Sequence, residues 1–147
     1  MGIQLATEKE LQWVNEQYQK IDFVLSTLDN EIIAILTYKD SFAGVGRIVY
    51  LNEEEAEIGG IYILDEFRGL SLANELVGYL VEEAKKRGLK EVYCLPFEEL
   101  KNFYEKFGFK TFDVESTPTN EKVLKKFNWC LDNYEMNVTA LKASRYV

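Results

Sequence analysis

The segment from Ile58 to Leu95 constrains the fold more than any other part of the chain. A β-branched apolar run, Ile58 to Leu64, breaks at Asp65-Glu66 and is followed by an Arg68-Gly69 turn. Helical spacing begins near Leu70. Leu72, Leu76 and Leu80, with Ala73, Val77 and Ala84, form an apolar stripe on one face. Arg87-Gly88 supplies a basic last turn and a glycine stop. A second apolar run, Glu91 to Leu95, reads as a buried strand. Strands joined through a covering helix run side by side in the same direction, so this segment predicts a parallel pair.

The flanking sequence adds antiparallel elements. Ile3-Gln4-Leu5 is a short strand candidate. Thr7-Glu8-Lys9-Glu10 is a capping box that opens a helix to about Tyr18, with Leu11, Val14 and Tyr18 on one face. Asp22 to Asn30 reads as a loop over the site. Glu31 to Tyr38, Val45 to Leu51 and Ala56 to Leu64 alternate with the turn groups Lys39-Asp40-Ser41 and Asn52-Glu53-Glu54, which predicts a meander. Downstream, Glu98 to Phe107 is a helix stopped by Gly108, and Phe109 to Val114 a strand. Pro118 starts a helix bearing Val123, Phe127 and Leu131, and Met136 to Leu141 is a closing strand. The expected class is α/β (α+β), a mixed and mostly antiparallel sheet flanked by helices. At 147 residues the chain, 1–147, suits one domain.

Composition removes several function classes. The chain has no histidine, which excludes Ser-His-Asp and Cys-His nucleophilic sites and His-ligated metals. Two cysteines, Cys94 and Cys130, do not make a thiolate cage, and both read as free buried thiols; no metal is expected. A net charge of -8 argues against nucleic acid and against a DNA-binding regulator. An acidic surface serves solubility, or it attracts a cationic small molecule or basic peptide. No apolar run approaches the ~20 residues of a membrane span. The first residues lack a basic segment followed by an apolar one, so no membrane partner and a cytoplasmic location are expected.

The start of the long helix carries the main functional signal. Ser71 and Ala73 are small, and no acidic side chain precedes Glu75. Such a start presents unpaired N–H groups and the positive end of the helix dipole to an anion. Arg68-Gly69-Leu70-Ser71-Leu72-Ala73 resembles the pyrophosphate loop of the GNAT superfamily of N-acetyltransferases, Arg/Gln-x-x-Gly-x-Gly/Ala. Asn102-Phe103-Tyr104-Glu105-Lys106-Phe107-Gly108-Phe109 is similar to that family's Tyr-Glu-Lys-x-Gly-Phe run. The two occur in the family's order, and the resemblance covers over a third of the chain. Two positions differ from the pattern. Ser71 stands where the family has its middle glycine, and Phe97 where it often has an asparagine that contacts cofactor.

The resemblance implies acetyl-CoA as co-substrate, bound through Arg68, Gly69, Leu70, Ser71, Leu72 and Ala73. It also implies backbone amides of Ile61 and Ile63 that reach pantetheine and the acetyl carbonyl. An amide aimed at that oxygen stabilises the charge that develops on it. Tyr104 matches the family's general acid; a phenol with pKa near ~10 is protonated at neutral pH and can donate to a departing thiolate. Its other reading is packing on its own helix. Glu57 is a candidate base for the attacking amine, whereas a solvated hairpin face is the usual explanation for a cluster such as Glu53, Glu54, Glu55 and Glu57.

Gly59-Gly60 inside a strand predicts a bulge or a close ligand approach, with tight packing under a helix as the structural reading. Trp13, Phe23, Tyr38, Trp129 and Tyr134 either line an acceptor pocket or belong to the core. The activity implied is acetyl transfer to a primary amine, on a small molecule or a peptide, by direct attack in a ternary complex. A non-catalytic acyl-CoA-binding sensor is the alternative. A cationic acceptor is expected from the charge, and a homodimer is compatible with this reading.

Overall fold

A computed structural model describes residues 1–115 and 119–144. Seven strands form one sheet in the order β1-β2-β3-β4-β5-β7-β6. These are β1 (Gly2–Leu5), β2 (Glu31–Tyr38), β3 (Ser41–Tyr50), β4 (Glu55–Ile63), β5 (Glu91–Cys94), β6 (Lys110–Thr111) and β7 (Leu141–Ser144). Four helices accompany them: α1 (Glu8–Lys20), α2 (Leu72–Lys86), α3 (Lys101–Glu105) and α4 (Glu121–Asn133). The β4/β5 pair is parallel and the other five pairings are antiparallel. The crossover through α2 thus yields the parallel pair read from Ile58 to Leu95.

Helices cover both faces. On one, Leu72, Leu76, Val77 and Leu80 of α2 and Tyr104 of α3 pack with Ile48, Ile58, Phe109 and Leu141. On the other, Val14 and Tyr18 of α1 pack with Ile33, Ile35 and Val45. The helix starts follow side-chain chemistry. Thr7 and Glu10 close the capping box of α1, and Asn120 accepts from Lys122 N–H at the head of α4. The start expected at Pro118 lies outside the described residues.

Several boundaries differ from the sequence reading. α2 begins at Leu72 and not near Leu70, because Gly69 and Ser71 both take left-handed backbone angles (φ 84° and 59°) that no helix interior accepts. The helix expected over Glu98 to Phe107 divides into a 3-10 turn, Glu98–Leu100, and the short α3. The strand expected over Phe109 to Val114 keeps only Lys110–Thr111, at the edge of the sheet. The closing strand lies at Leu141–Ser144 and not at Met136 to Leu141. Its ladder with β5 stops at Cys94, since Pro96 beyond it has no N–H to donate. Residues just before Leu141 make isolated bonds: Thr139 N–H donates to the Pro96 carbonyl, Glu98 N–H to Asn137 and Phe112 N–H to Ala140, with a bridge between Phe97 and Val138.

A bulge in β4 decides which side chains meet the site. Arg47 pairs with Gly59, but Val45 pairs with Tyr62, so Gly46 faces both Gly60 and Ile61. The extra residue shifts the alternation. Ile58, Ile61 and Ile63 pack toward α2, while Tyr62 joins the α1 side. Gly60 takes φ 62°, and a Cβ there would lie 2.6 Å from the Tyr18 hydroxyl and 2.9 Å from Arg47 Nε. Gly60→Ala should therefore cost about 2 kcal/mol or more, from left-handed strain and overpacking together. Gly59→Ala meets nothing nearer than Glu57 Oε2 at 3.4 Å and should stay within about 1 kcal/mol. Denaturant midpoints of the two variants check this difference.

Candidate active site

β4 leaves β5 early. Their pairing covers only Glu55 to Glu57 against Glu91 to Tyr93, although β4 continues to Ile63. In a strand, consecutive peptide N–H groups point to opposite edges. Leu64 N–H donates to Ala43 of β3, so the amides of Ile63 and Ile61 face the opposite edge, which β5 has vacated. Ile63 also turns its carbonyl away from β3, where it accepts from Arg68 Nε at 3.1 Å. The result is a wedge between two parallel strands, with the amides of Ile61 and Ile63 on the β4 wall facing it.

Arg68 to Ala73 follow this wall directly. The Arg68 guanidinium lies 3.3 Å from Asp65, and its side chain also sits over the Tyr62 ring at 5.8 Å, so it braces the turn. Left-handed angles at Gly69 and Ser71 turn the chain sharply into α2. No side chain caps the first amides of α2, in contrast to the caps on α1 and α4. N–H groups at such an uncapped helix start, aligned with the helix dipole, suit an anion. A groove of about 750 Å³ opens beside this turn and is lined by Asn74, Gly78, Lys106, Phe107 and Gly108. Lys106 Nζ stands 3.4 Å from Asn74 Oδ1, and the groove carries both signs of charge, with Glu75 and Glu82 alongside Lys85 and Lys106 in its lining.

Tyr104 sits on the other wall. It is 6 % exposed, with Phe103 and Phe109 edge-on to its ring at 5.0 and 6.3 Å. Its hydroxyl makes no hydrogen bond among the described residues. Burial, helped by the Cys94 thiol, pushes the phenol pKa above its usual range and keeps it protonated. Cys94 ends β5 at the mouth of the wedge. Burial first, and then the Glu57 carboxylate, raise its thiol well above an ordinary cysteine. Both cysteines are free and buried.

Glu57 is not part of a solvated hairpin face. Only 5 % of it is exposed, and Lys126 of α4 donates to Oε2 at 2.7 Å. Its neighbours also find partners, Glu54 with Lys90 at 3.1 Å and Glu55 with Asn52, Tyr93 and Asn120. Glu57 meets α4 through Lys126, whereas Tyr104 and Cys94 pack together in the core under α2. Sequence reasoning missed Lys126, which is 69 residues from Glu57 with no local pattern to link them. It missed Tyr18 and Arg47 as well. Tyr18 donates to the Gly60 carbonyl at 2.7 Å, and the Arg47 guanidinium lies over the Tyr18 ring at 4.3 Å. Arg47 also donates to Val24 and Ser26, and so pins the Asp22 to Asn30 loop onto this face.

The aromatic candidates divide. Trp13 packs on Phe42 at 4.9 Å, Phe23 on Tyr18 and Tyr38 on Phe67, all within or beside the core. Trp129 and Tyr134 instead gather at the end of α4, joined by Phe97.

Comparison with known proteins agrees with this architecture. The chain shares 29% identity over 80 residues with an amino-acid acetyltransferase from Aeromonas salmonicida (strain A449), a match covering 54% of this chain and 17% of that relative. The CoA-bound protein Rv2747 from Mycobacterium tuberculosis superposes with a TM-score of 0.75 at 14% identity, over 98% of this chain and 99% of the other. The ribosomal-protein-S18-alanine N-acetyltransferase from Escherichia coli gives 0.72 at 15% identity, over 97% and 92%. N-acetylglutamate synthase from Neisseria gonorrhoeae, with coenzyme A and N-acetyl-glutamate, gives 0.71 at 12% identity, over 97% of this chain and 34% of that one. The profile of the Acetyltransferase (GNAT) family matches residues 4–109, well over half of the sequence. The chain belongs to the GNAT family of acetyltransferases.

Proposed function

We propose that this protein transfers an acetyl group from acetyl-CoA to a primary amine by direct attack. The observation that carries this reading is the wedge between β4 and β5, with an uncapped helix start at its mouth and a buried, protonated tyrosine on its far wall. The amides from Gly69 to Ala73 hold the pyrophosphate, with Arg68 bracing the turn and the groove beside Lys106 taking the nucleotide end. The amides of Ile61 and Ile63 replace the missing β5 ladder, by binding the pantetheine arm and polarising the acetyl carbonyl. The amine nitrogen forms its bond to the carbonyl carbon as the carbon–sulfur bond breaks. Tyr104 donates its proton to the departing sulfur. Glu57, or a water held by it, takes the proton of the amine, with Lys126 orienting the carboxylate.

CoA thiol release measured against a panel of amines tests the proposal. The panel holds a diamine, a neutral alkylamine, an amino acid, an aminoglycoside and a peptide N-terminus. At least one should support steady release that scales with enzyme. Thermal stabilisation by acetyl-CoA with no release from any acceptor would instead identify an acyl-CoA-binding module.

A further inference from the structure

The core under α1 encloses a charge. Arg47 is 7% exposed, and its guanidinium lies over the Tyr18 ring at 4.3 Å. It also donates to the Val24 carbonyl at 2.9 Å and to Ser26, and stands 3.8 Å from Glu31. Buried charges of this kind add little stability over well-packed apolar side chains, so their presence here calls for another role. They surround the Tyr18 ring, whose hydroxyl donates to the Gly60 carbonyl at 2.7 Å. Burial raises the Tyr18 phenol above its ordinary range, so the hydroxyl remains a donor at neutral pH.

The Gly60 carbonyl shares its peptide plane with the Ile61 N–H. The bond is trans, which holds C=O and N–H antiparallel, so whatever fixes the oxygen also aims the hydrogen. Gly60, at φ 62°, lacks the Cβ that would restrict rotation of this plane, and two orientations are open to it. In one, the oxygen points to Tyr18 and the N–H to the edge that β5 has vacated. In the other, the carbonyl oxygen enters the wedge, where it would repel an acyl oxygen. The Tyr18 hydroxyl stabilises only the first.

We propose that Tyr18, braced by Arg47, is a positioning residue that locks the Gly60–Ile61 peptide with its N–H aimed at the acyl carbonyl of bound acetyl-CoA. Ile61 lies farther than Ile63 from the turn at Arg68 to Ala73. Along an arm that starts at that turn, its amide therefore meets the acyl end. Tyr18 itself touches neither cofactor nor acceptor and acts through the plane of one peptide. This inference rests on the acetyl-transfer reading for its ligand and adds the device that keeps the oxyanion donor pointed into the wedge.

Tyr18→Phe removes the hydroxyl and keeps the ring under Arg47, so the variant should fold. Val14→Ala is the control: Val14 is fully buried in the same packing, and its loss loosens α1 without removing a hydrogen bond to Gly60. Two quantities are read, the single-turnover rate of transfer and the infrared stretch of the acyl carbonyl in bound, carbonyl-labelled acetyl-CoA. That stretch falls when the oxygen accepts a hydrogen bond. Wild type should lower it relative to free acetyl-CoA. Tyr18→Phe should return it toward the free value and slow transfer at least about tenfold, with KM of acetyl-CoA nearly unchanged. Val14→Ala should lose at least as much thermal stability and keep both the lowered stretch and the rate. An unchanged stretch or rate in Tyr18→Phe overturns the proposal, as does a Val14→Ala protein that matches Tyr18→Phe in both. If no amine is acetylated, the stretch decides alone: lowered in wild type and restored by Tyr18→Phe, it upholds the lock while the transfer reading falls. A wild-type stretch equal to that of free acetyl-CoA, or no binding of acetyl-CoA, removes the proposal.

Discussion

Tyr104→Phe should lower turnover by on the order of 100-fold while leaving stability and acetyl-CoA affinity close to wild type. The ring makes the packing contacts with Phe103 and Phe109, and phenylalanine preserves them. The hydroxyl has no hydrogen-bond partner among the described residues, so its removal leaves no buried group unsatisfied. Its loss should be felt only when charge builds on the departing sulfur. Because burial raises the phenol pKa, Tyr104 remains a proton donor throughout the neutral and mildly alkaline range. The pH profile of turnover should therefore show no alkaline limb from this group near ~10, where a free phenol would titrate. The measurement belongs under single-turnover conditions, so that product release does not mask the chemical step. An unchanged rate constant there would reduce Tyr104 to a packing residue.

How legible the fold was depends on the range over which each feature is specified. The parallel β4/β5 pair, the capping box at Thr7 and the bulge at Gly59-Gly60 come from local pattern, and local physics enforces them in the structure. Their consequences are longer in range. The bulge sets which of Ile61, Tyr62 and Ile63 faces α2, and only the register against Val45 and Arg47 reveals it. The alternation of Met136, Val138 and Ala140 reads as a strand, yet Pro96 on the partner side withholds the donor that its ladder needs. The pairing of Glu57 with Lys126 is least legible, because an acidic hairpin and an amphipathic helix each have an ordinary explanation alone. The candidate cofactor loop was readable because glycine and small residues at a helix start answer to backbone geometry. The surroundings of Glu57 and Gly60 were not, because Lys126, Tyr18 and Arg47 come from α4, α1 and β3, which share no segment.

Ser71→Glu should abolish most of the stabilisation that acetyl-CoA confers. Ser71 sits at φ 59°, ψ 25°, immediately before the first turn of α2, with no hydrogen bond from its side chain to the helix. In wild type the next acidic residue is Glu75, so the first amides face no competing carboxylate. Glutamate at position 71 brings both bulk and a like charge to the place proposed for the pyrophosphate. At acetyl-CoA one hundred times its dissociation constant, wild type should gain about 2.7 kcal/mol, and a 100-fold weaker variant only about 0.4 kcal/mol. The unliganded variant should be little changed. A carboxylate near a helix start gains about 0.3–1 kcal/mol from the dipole, which offsets any added strain at a left-handed residue already occupied by serine. Ser71→Gly separates strain from charge. It should stabilise the free protein by about 1 kcal/mol, since glycine adopts the left-handed angle without the Cβ clash, and it should retain the acetyl-CoA shift. Equal ligand-induced shifts in wild type and Ser71→Glu, measured at the same acetyl-CoA concentration, would place the phosphates elsewhere on the surface.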